Sequence, residues 1–308
     1  MYANVSVNSK RDYLKISNRR TFIDPFLDFS FKRIFASESS KEVLIGFLNE
    51  LLKGQRQIET IVYNNNEYPG EIGDEGGAIF DITCTDKFGA VFLIEIQKGV
   101  QRYFKERALF YTSRLISEQA PKGNRRDWAY KLTDVYLVAI LEDFNLPDSD
   151  TNDYLHHVCL INQTTGKVFY NKLGYTYVEV RKFNKSMEQL ETQLDKWIYI
   201  LKNLTRFNDR PALFLGSEFD HFFNLASLTS LTKEERKMFN ASLKYKWDNK
   251  NVLDYAKELS REEGKVEGRV EGRIEGASDK AQEIALILKR DGFSNKAILK
   301  ATGFNLVD

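Results

Sequence analysis

The sequence predicts an α/β fold in which helices flank a mixed β-sheet, followed by a helical C-terminal region. Residues 78–86 and 90–97 are rich in β-branched and aromatic residues, and a Gly-containing link between them favours a hairpin. Amphipathic helical segments precede and follow this hairpin. A continuous apolar run at residues 135–141 is short enough to be a buried strand. Helices that alternate with strands in this order indicate helical layers around a sheet.

Before the hairpin, the sequence predicts a loosely ordered leader, two helices, a short strand and a polar loop. The leader carries no period, whereas apolar residues of the two helical segments recur at the spacing of one helical face. Ser39 and Glu42 have the spacing of a capping box at the start of the second helix. In chain order, the expected bounds of these segments are residues 1–21, 24–35, 39–52, 58–63 and 64–77.

After the hairpin, the pattern predicts more strands and then only helices. A long helix is expected over residues 99–119, ahead of the apolar strand at residues 135–141. The chain turns helical from Ser186 onward, and Thr232 and Glu235 again have capping-box spacing. The expected bounds of three further strands are residues 158–162, 168–171 and 175–183.

Residues 263–276 contain a four-residue repeat of Glu-Gly, a basic residue, and Val or Ile. In a helix, each Gly would cost about 1 kcal/mol relative to Ala, but a glycine stripe would let a second helix approach closely. The repeat is therefore a candidate helix for homo-oligomerisation, and the alternative is a solvated, flexible linker. The tail over residues 281–308 predicts one amphipathic helix and the start of another.

The bulk composition sets only broad limits on function. A chain of 308 residues with 42% hydrophobic residues can hold one large domain or a core domain with an appendage. The formal net charge of +1 by itself implies neither a nucleic-acid nor a membrane partner. We expect a cytoplasmic protein without a membrane segment, because no long apolar run occurs. Cys84 and Cys159 lie in apolar runs, which favours buried thiols in a reducing compartment.

Two acidic residues and an amide on the hairpin form the candidate functional site. Side chains alternate along a strand, so Glu95 and Gln97 share one face while Ile94 and Ile96 share the other. Asp81 lies in an otherwise apolar run on the neighbouring strand. A buried charge needs a partner or a metal ion, and Mg²⁺ prefers carboxylate and carbonyl oxygens. The pattern predicts a hard-cation site, and the alternative is a structural or edge role for Asp81.

Several motifs occur in an order that resembles one family. The first is Asp-x-x-Phe-Lys-x-x-Phe at residues 28–35, followed by Ala-Ile-Phe-Asp ending at Asp81 and Ile-Glu-Ile-Gln at residues 94–97. Later motifs occupy residues 104–111, 131–136, 183–185 and the Glu-Gly repeats. Together they resemble the Rpn branch of the PD-(D/E)XK nuclease superfamily, the recombination-promoting nucleases that are also labelled transposases. The resemblance covers nearly the whole chain after residue 21.

The resemblance implies a restriction-endonuclease-like core and a magnesium-dependent DNA endonuclease of low sequence specificity. It also implies a link to recombination or mobile elements, with Mn²⁺ able to replace Mg²⁺. The implied catalytic residues are Asp81, Glu95, Gln97 and Asp28. The implied metal ligands are Asp81, Glu95 and the backbone carbonyl of Ile96. Such a cation would neutralise charge on the phosphate and lower the pKa of an attacking water.

Three positions qualify this assignment. Gln97 stands in the place of the superfamily's usual lysine, and an amide carries no charge to stabilise the transition state. Lys98 is not expected to replace that lysine, because on a regular strand it faces the opposite side. Asp28 also has a structural interpretation, since the helix dipole favours acidic residues in the first turn.

The long helix after the hairpin is the candidate DNA-binding face. Basic side chains outnumber acidic ones over residues 98–131, and such an excess suits contacts to phosphates. Tyr103, Arg107, Phe110 and Arg114 form a stripe beside the packing face. The candidate DNA-binding residues are Arg102, Lys105, Arg107 and Arg114. The alternatives are an ordinary solvated helix and, for Arg107, a contact that braces the site.

We therefore expect a leader, a nuclease-like domain, a helical extension, and a C-terminal segment with the repeat and the tail. Their expected bounds are residues 1–21, 22–210, 211–262 and 263–308. The main functional hypothesis is a DNA endonuclease. The second hypothesis, left open by Gln97 and the near-neutral charge, is a non-catalytic nuclease-fold protein. Such a protein would bind nucleic acid or self-associate through its C-terminal helix.

Overall fold

The computed structural model describes residues 20–64, 67–68, 78–79, 81–99, 102–121, 128–147 and 151–305. The predicted leader at residues 1–21 lies almost entirely outside these ranges. The described residues form a mixed α/β architecture with flanking helices and a long C-terminal helix, which confirms the predicted fold class. The helices are α1 (Asp28–Phe35), α2 (Lys41–Leu51), α3 (Phe104–Glu118), α4 (Gln193–Asn203), α5 (Ser217–Ala226), α6 (Lys233–Arg290) and α7 (Asn295–Thr302). The strands are β1 (Ile61–Tyr63), β2 (Glu67–Tyr68), β3 (Ala78–Ile79), β4 (Ile82–Asp86), β5 (Val91–Gln97), β6 (Val135–Leu141), β7 (Leu155–Ile161) and β8 (Val168–Glu179).

The main sheet contains six strands in the order β1-β4-β5-β6-β8-β7. β6 pairs in parallel with both β5 and β8, whereas the outer pairs are antiparallel, so the sheet is mixed as predicted. Glu95 in β5, Ala139 in β6 and Tyr177 in β8 are aligned in one row across the sheet. Every residue of β6 is buried, so both faces of the sheet are covered at its centre.

Helix α3 covers one face of the sheet. Phe104 and Ala108 of α3 belong to a buried cluster with Leu93, Leu137 and Tyr177 from the strands. The apolar side of this helix therefore packs against the sheet, as its spacing predicts. Helices α1, α2, α4 and α5 pack on one another around an aromatic cluster. Its rings include those of Phe35, Phe47, Trp197 and Phe222.

The predicted strand at residues 78–86 is interrupted. β3 pairs with β2 in a separate two-stranded sheet, so the predicted loop at residues 64–77 also contains a short strand. Only β4 pairs with β5, and Gly89 makes the predicted turn with a φ of 82°. The composition could not reveal the break, because the residues on both sides of it suit strands equally well.

The three strands predicted between residues 158 and 183 are two strands. β8 runs without interruption through Gly174, which pairs with Tyr136 of β6. A Cβ at Gly174 would lie 3.0 Å from the Tyr136 ring, so the glycine makes this close approach possible. The outer part of the β7–β8 hairpin is exposed. Cys159 is therefore exposed, and the prediction of a buried thiol was wrong for Cys159 and correct for Cys84.

Of the two predicted capping boxes, the structure contains one. The prediction of a box between Ser39 and Glu42 was wrong, because the reciprocal contacts join Ser37 and Ser40 in a 3₁₀ turn before α2. The one at the start of α6 is confirmed. There, the backbone N–H of Thr232 donates to Glu235 at 2.8 Å, and the N–H of Glu235 donates to the Thr232 hydroxyl at 3.2 Å.

The chain divides into two compact units between Leu243 and Lys244. α6 extends through the Glu-Gly repeat without a break, so the repeat is helical and the linker alternative was wrong. In the second unit, Ser294 caps α7, and Gly303 follows its end with a φ of 70°. None of the helices in the described part of the chain is both long and apolar enough to cross a membrane.

Candidate active site

The candidate site lies where β4 and β5 stop pairing. The last pair of the antiparallel ladder joins Ile82 to Ile94. Beyond it, the backbone N–H of Ile96 donates to Oδ2 of Asp81 at 2.7 Å. The Asp81 side chain thus takes the place of a strand carbonyl, and this contact fixes it against β5 one residue before β4 begins.

The side chain of Glu95 lies on the face of β5 opposite to that of Ile96. Two neighbouring side chains hold it there. Its carboxylate is 5% exposed, and its Oε2 accepts a hydrogen bond from Nε2 of Gln97 at 2.9 Å. The same oxygen accepts one from the Arg107 guanidinium of α3 at 3.0 Å. Glu95 and Gln97 share a face as predicted. Of the two roles considered for Arg107, the structure shows the contact that braces the site.

A cavity of about 540 Å³ opens in front of these groups. The cavity is lined by predicted site residues that come from three places: α1, the residue just before β4, and β5. The predicted residues in its lining are Asp28, Asp81, Glu95, Ile96 and Gln97. The other lining residues are Phe26, Phe31, Lys98, Gly99, Arg107 and Tyr111.

Asp28 and Lys98 each occupy an edge of this cavity. Asp28 is the first residue of α1 and pairs with Lys32 one turn later at 2.9 Å, so it is both a first-turn acid and a lining residue. Lys98 also belongs to the lining, although strand alternation would place it on the far side. β5 ends at Gln97, so the alternation need not extend to Lys98.

Acidic side chains outnumber basic ones in the cavity lining, with Asp28, Asp81 and Glu95 against Lys98 and Arg107. The pKa of Asp81 is raised to about 6, because burial and the nearby carboxylates of Glu95 and Asp28 disfavour its charged form. The hydrogen bond from Ile96 and the charge of Lys32 oppose this shift only in part. The surroundings of Asp81 therefore disfavour its charged form, and a cation beside it would favour that form.

The oxygen donors suit a hard divalent cation that keeps part of its water. Asp81 and Glu95 supply carboxylates, and Ile96 supplies a backbone carbonyl. The N–H and C=O groups of one strand residue point to the same side, so the Ile96 carbonyl lies on the side of Asp81. Among the described residues, no three His, Cys, Asp or Glu side chains group closely enough to hold a metal. Mg²⁺ is commonly held by one or two carboxylates together with water and substrate phosphates, which this small donor set matches.

The candidate DNA-binding residues lie on α3 and just before it. Arg102 is exposed, with its guanidinium 5.4 Å from the centre of the Tyr103 ring. Lys105 is also exposed. Arg114 pairs with Glu118 at 3.1 Å, while Arg107 faces Glu95. Part of the predicted basic excess, at residues 122–127, lies outside the described residues.

Sequence reasoning did not assign three aromatic residues near the site. Phe26 and Phe31 line the cavity, and the helical spacing of Phe31 from Asp28 could have indicated a shared face. Tyr177 is buried in the row that contains Glu95, two strands away. Burial raises the pKa of Tyr177, and the charges of Tyr175 and Glu95 raise it further. No local signal could have placed Tyr177, because its position depends on the pairing of β6 with β8.

Comparison with known proteins identifies the family. A family model described as PD-(D/E)XK nuclease family transposase matches residues 25–256, a segment that contains Asp28, both hairpin strands and α3. No curated protein and no solved structure gives a significant match to the chain. The family match covers most of the chain and confirms the resemblance read from the motifs. Proteins of this kind are nucleases that generally use divalent metal ions. The chain belongs to the PD-(D/E)XK nuclease family transposases.

Proposed function

We propose that this protein is a cytoplasmic, divalent-metal-dependent DNA endonuclease with low sequence specificity. The family supports a nuclease-type activity. One observation supports the metal-dependent chemistry: Asp81, Glu95 and Ile96 line one cavity, where burial and neighbouring carboxylates raise the pKa of Asp81. Breaks made in DNA with little sequence preference would promote recombination and the movement of mobile elements.

In the proposed mechanism, Asp81, Glu95 and the Ile96 carbonyl would hold Mg²⁺, for which Mn²⁺ would substitute. The bound ion supplies charge neutralisation on the phosphate and a lower pKa for the attacking water. Arg107 is a positioning residue, because its contact of 3.0 Å holds the Glu95 carboxylate toward the cavity. The Ile96 N–H does the same for Asp81.

Gln97 and Asp28 have supporting roles in this mechanism. The Gln97 amide donates to Glu95, and its carbonyl oxygen can accept a hydrogen bond from a water. It adds no positive charge, so we expect a slower enzyme than one with lysine at this position. Asp28 lies at the cavity edge on α1, where it adds negative charge that favours the cation.

DNA would approach along α3. We assign phosphate contacts to Arg102, Lys105, Arg107 and Arg114. Contacts to phosphates position the DNA without reading its sequence, which accounts for the low specificity. The affinity is expected to fall steeply with salt, because each phosphate contact releases counterions.

Plasmid nicking tests this function. Purified wild-type protein should convert supercoiled plasmid to nicked and linear forms with Mg²⁺ or Mn²⁺, and EDTA should abolish the reaction. The double variant Asp81→Ala/Glu95→Ala should lose cleavage, whereas Glu106→Ala, an exposed acid of α3, should retain it. Equal cleavage by the double variant would contradict the assigned site. A lack of cleavage by the wild type would favour the non-catalytic alternative.

A second proposal is that two copies associate through the repeat helix. Successive residues of an α-helix rotate by about 100°, so the four-residue repeat gives four adjacent faces. One face is an exposed apolar stripe of Val266, Val270 and Ile274, and the glycines lie opposite. Acidic side chains flank the apolar stripe on one side and basic side chains on the other. The flanking residues are Glu263, Glu267, Glu271 and Glu275, and Lys265, Arg269 and Arg273.

This charge pattern favours a parallel pair of helices. Two parallel copies related by a two-fold axis bring the acidic flank of each against the basic flank of the other, whereas antiparallel copies oppose like charges. Light scattering should find a dimer that Val266→Ser/Val270→Ser/Ile274→Ser disrupts. Gly268→Ala should leave it intact, because a Cβ there meets open space. Disruption by Gly268→Ala alone would place the contact on the glycine face instead.

A further inference from the structure

We propose that α3 binds unpaired bases of the DNA strand by stacking them on Tyr103 and Phe110. The preferred substrate would then have a single-stranded segment next to the scissile phosphate. This inference rests on the proposed nuclease function and specifies its substrate class.

The first observation is a second, exposed face of α3. Its packing face is buried and includes Phe104, Ala108 and Leu115. Tyr103 and Phe110 are 61% and 63% exposed, although each is a large aromatic side chain. Tyr103 is the residue directly before α3, and Arg107, Phe110 and Arg114 follow it at intervals of three or four residues; we call these four side chains the α3 stripe. Its members are Tyr103, Arg107, Phe110 and Arg114.

The second observation is that the α3 stripe adjoins the candidate active site. Arg107 belongs to the stripe and also lines the cavity, where it contacts Glu95. Tyr111 lines the cavity, with the Arg107 guanidinium 5.7 Å from its ring centre. The Phe110 ring is 5.9 Å from the Tyr111 ring. A strand whose phosphate lies in the cavity can therefore pass beside Phe110, with Tyr103 at the start of the same helix.

The chemistry of the α3 stripe matches a single strand better than a duplex. Arginines between aromatic rings offer charge to phosphates and flat surfaces to bases, and stacking on such a ring contributes about 1–3 kcal/mol per base. Bases inside a duplex are stacked on one another and cannot reach a ring on a helix surface. Arg102 packs on the Tyr103 ring at 5.4 Å, which adds a positive charge beside the first stacking position.

The spacing of the two rings is also compatible with one strand. Phe110 lies about 9 Å along the helix axis from Phe104, the first residue of α3, and Tyr103 directly precedes Phe104. Two splayed bases of an extended strand can span such a distance. The remaining exposed apolar residue of this part of α3, Leu109, is 54% exposed but lies about 100° around the helix from Phe110. Leu109 is therefore a matched control.

Binding of two labelled DNA probes tests the proposal. Fluorescence anisotropy in EDTA, which prevents cleavage, compares an oligo(dT) strand with a duplex of equal length, using the full chain. We expect Tyr103→Ala and Phe110→Ala each to weaken single-strand binding about 5- to 150-fold, the equivalent of one lost stacking contact. Duplex binding should change less than twofold, and Leu109→Ala should change neither. Tyr103→Phe should keep wild-type affinity, because it preserves the ring.

The opposite results would overturn the proposal. Equal losses on both probes, unchanged single-strand affinity in the alanine variants, or a comparable loss in Leu109→Ala would each contradict base stacking. A wild type that binds neither probe would contradict it as well. Nicking that depends on Asp81 reports separately on the nuclease function. If that nicking occurs while Phe110→Ala leaves single-strand binding unchanged, only the stacking proposal fails.

Discussion

Two buried glutamates on one face of the sheet have different surroundings. Glu179 in β8 is fully buried and accepts hydrogen bonds from the backbone N–H of Leu146, from His156 at 3.0 Å and from Lys182 at 2.7 Å. Glu95 in β5 is nearly as buried, yet it opens onto a cavity that also holds Asp81. Both glutamates lie in strands that flank β6. Burial therefore does not distinguish the two glutamates, whereas their position does: Glu95 lines the cavity and Glu179 does not.

Two aspartates show the same contrast through their pKa values. Burial would raise the pKa of Asp195, but hydrogen bonds from Lys185, the Thr192 N–H and Tyr154 outweigh it and lower the pKa to about 2. The pKa of Asp81 instead rises to about 6, because burial and neighbouring carboxylates outweigh the hydrogen bond from Ile96. The fold therefore favours the charged form of Asp195 and the neutral form of Asp81.

The largest expected effect is a difference in nicking rate between variants of the two glutamates. Glu95→Gln should lower the single-turnover rate of plasmid nicking by about 10³-fold, on the scale of a lost preorganised charge contact in an active site. Glu179→Gln, measured on folded protein, should change that rate by less than about threefold, because Glu179 contacts neither the cavity nor the substrate path. Equal losses in both variants would show that the surroundings of the two acids do not determine their roles.

The next effect concerns stability without metal. Asp81→Asn should stabilise the protein by about 2–3 kcal/mol in urea unfolding with EDTA near pH 8. Folded Asp81, with its pKa at about 6 against a usual 3.8, binds its proton more tightly than the unfolded chain does. Wild-type stability therefore falls as pH rises from 3.8 to about 6. The advantage of Asn should grow between about pH 4 and pH 6 and vanish below it. A variant that is less stable than the wild type at pH 8 would contradict the raised pKa of folded Asp81.

The corresponding change at Asp195 should have the opposite sign. Asp195→Asn should destabilise the protein by about 2 kcal/mol near pH 7, because it weakens charge-assisted hydrogen bonds at the start of α4. The pKa of Asp195 is lowered from 3.8 to about 2, so its contribution is present above the usual value and is lost as pH falls through about 2. Urea unfolding at neutral pH measures the change. A stabilised variant would mean that Asp195 is not satisfied by its partners.

The smallest effect concerns Asp28, at the exposed edge of the cavity. Asp28→Asn should lower the nicking rate about tenfold or less, because its charge is partly screened by solvent and paired with Lys32. Glu38→Gln, which alters a similar exposed pair with Lys41, is the matched control and should leave the rate unchanged. A loss as large as that of Glu95→Gln would make Asp28 a principal ligand.

The sequence predicted the parts of the site that depend on local patterns. Strand alternation placed Glu95 and Gln97 on one face, and the Gly89 turn brought Asp81 to the neighbouring strand. The Asp81 contact with Ile96 was not predictable, because β4 ends its pairing at a point that composition does not mark. Pairing of distant segments determines such details, and local propensity carries no information about them.

The contact between Arg107 and Glu95 shows a second limit. The sequence permitted both a DNA contact and a bracing contact for Arg107, because the face it presents depends on where α3 begins. α3 begins at Phe104, and this start directs Arg107 to Glu95. The partners of the buried acids Glu179 and Asp195 could not be predicted from the sequence either. Glu179 and Asp195 become satisfied only when β7, β8 and α4 bring their partners together.

Metal binding to the folded protein tests the central claim most directly. Isothermal titration calorimetry with Mn²⁺ near pH 8 should show binding to the wild type and to Asp195→Asn, and none to Asp81→Asn/Glu95→Gln. That result would assign the ion to the two carboxylates that line the cavity. Unchanged Mn²⁺ binding by the double variant would contradict the assignment of Asp81 and Glu95 as its ligands.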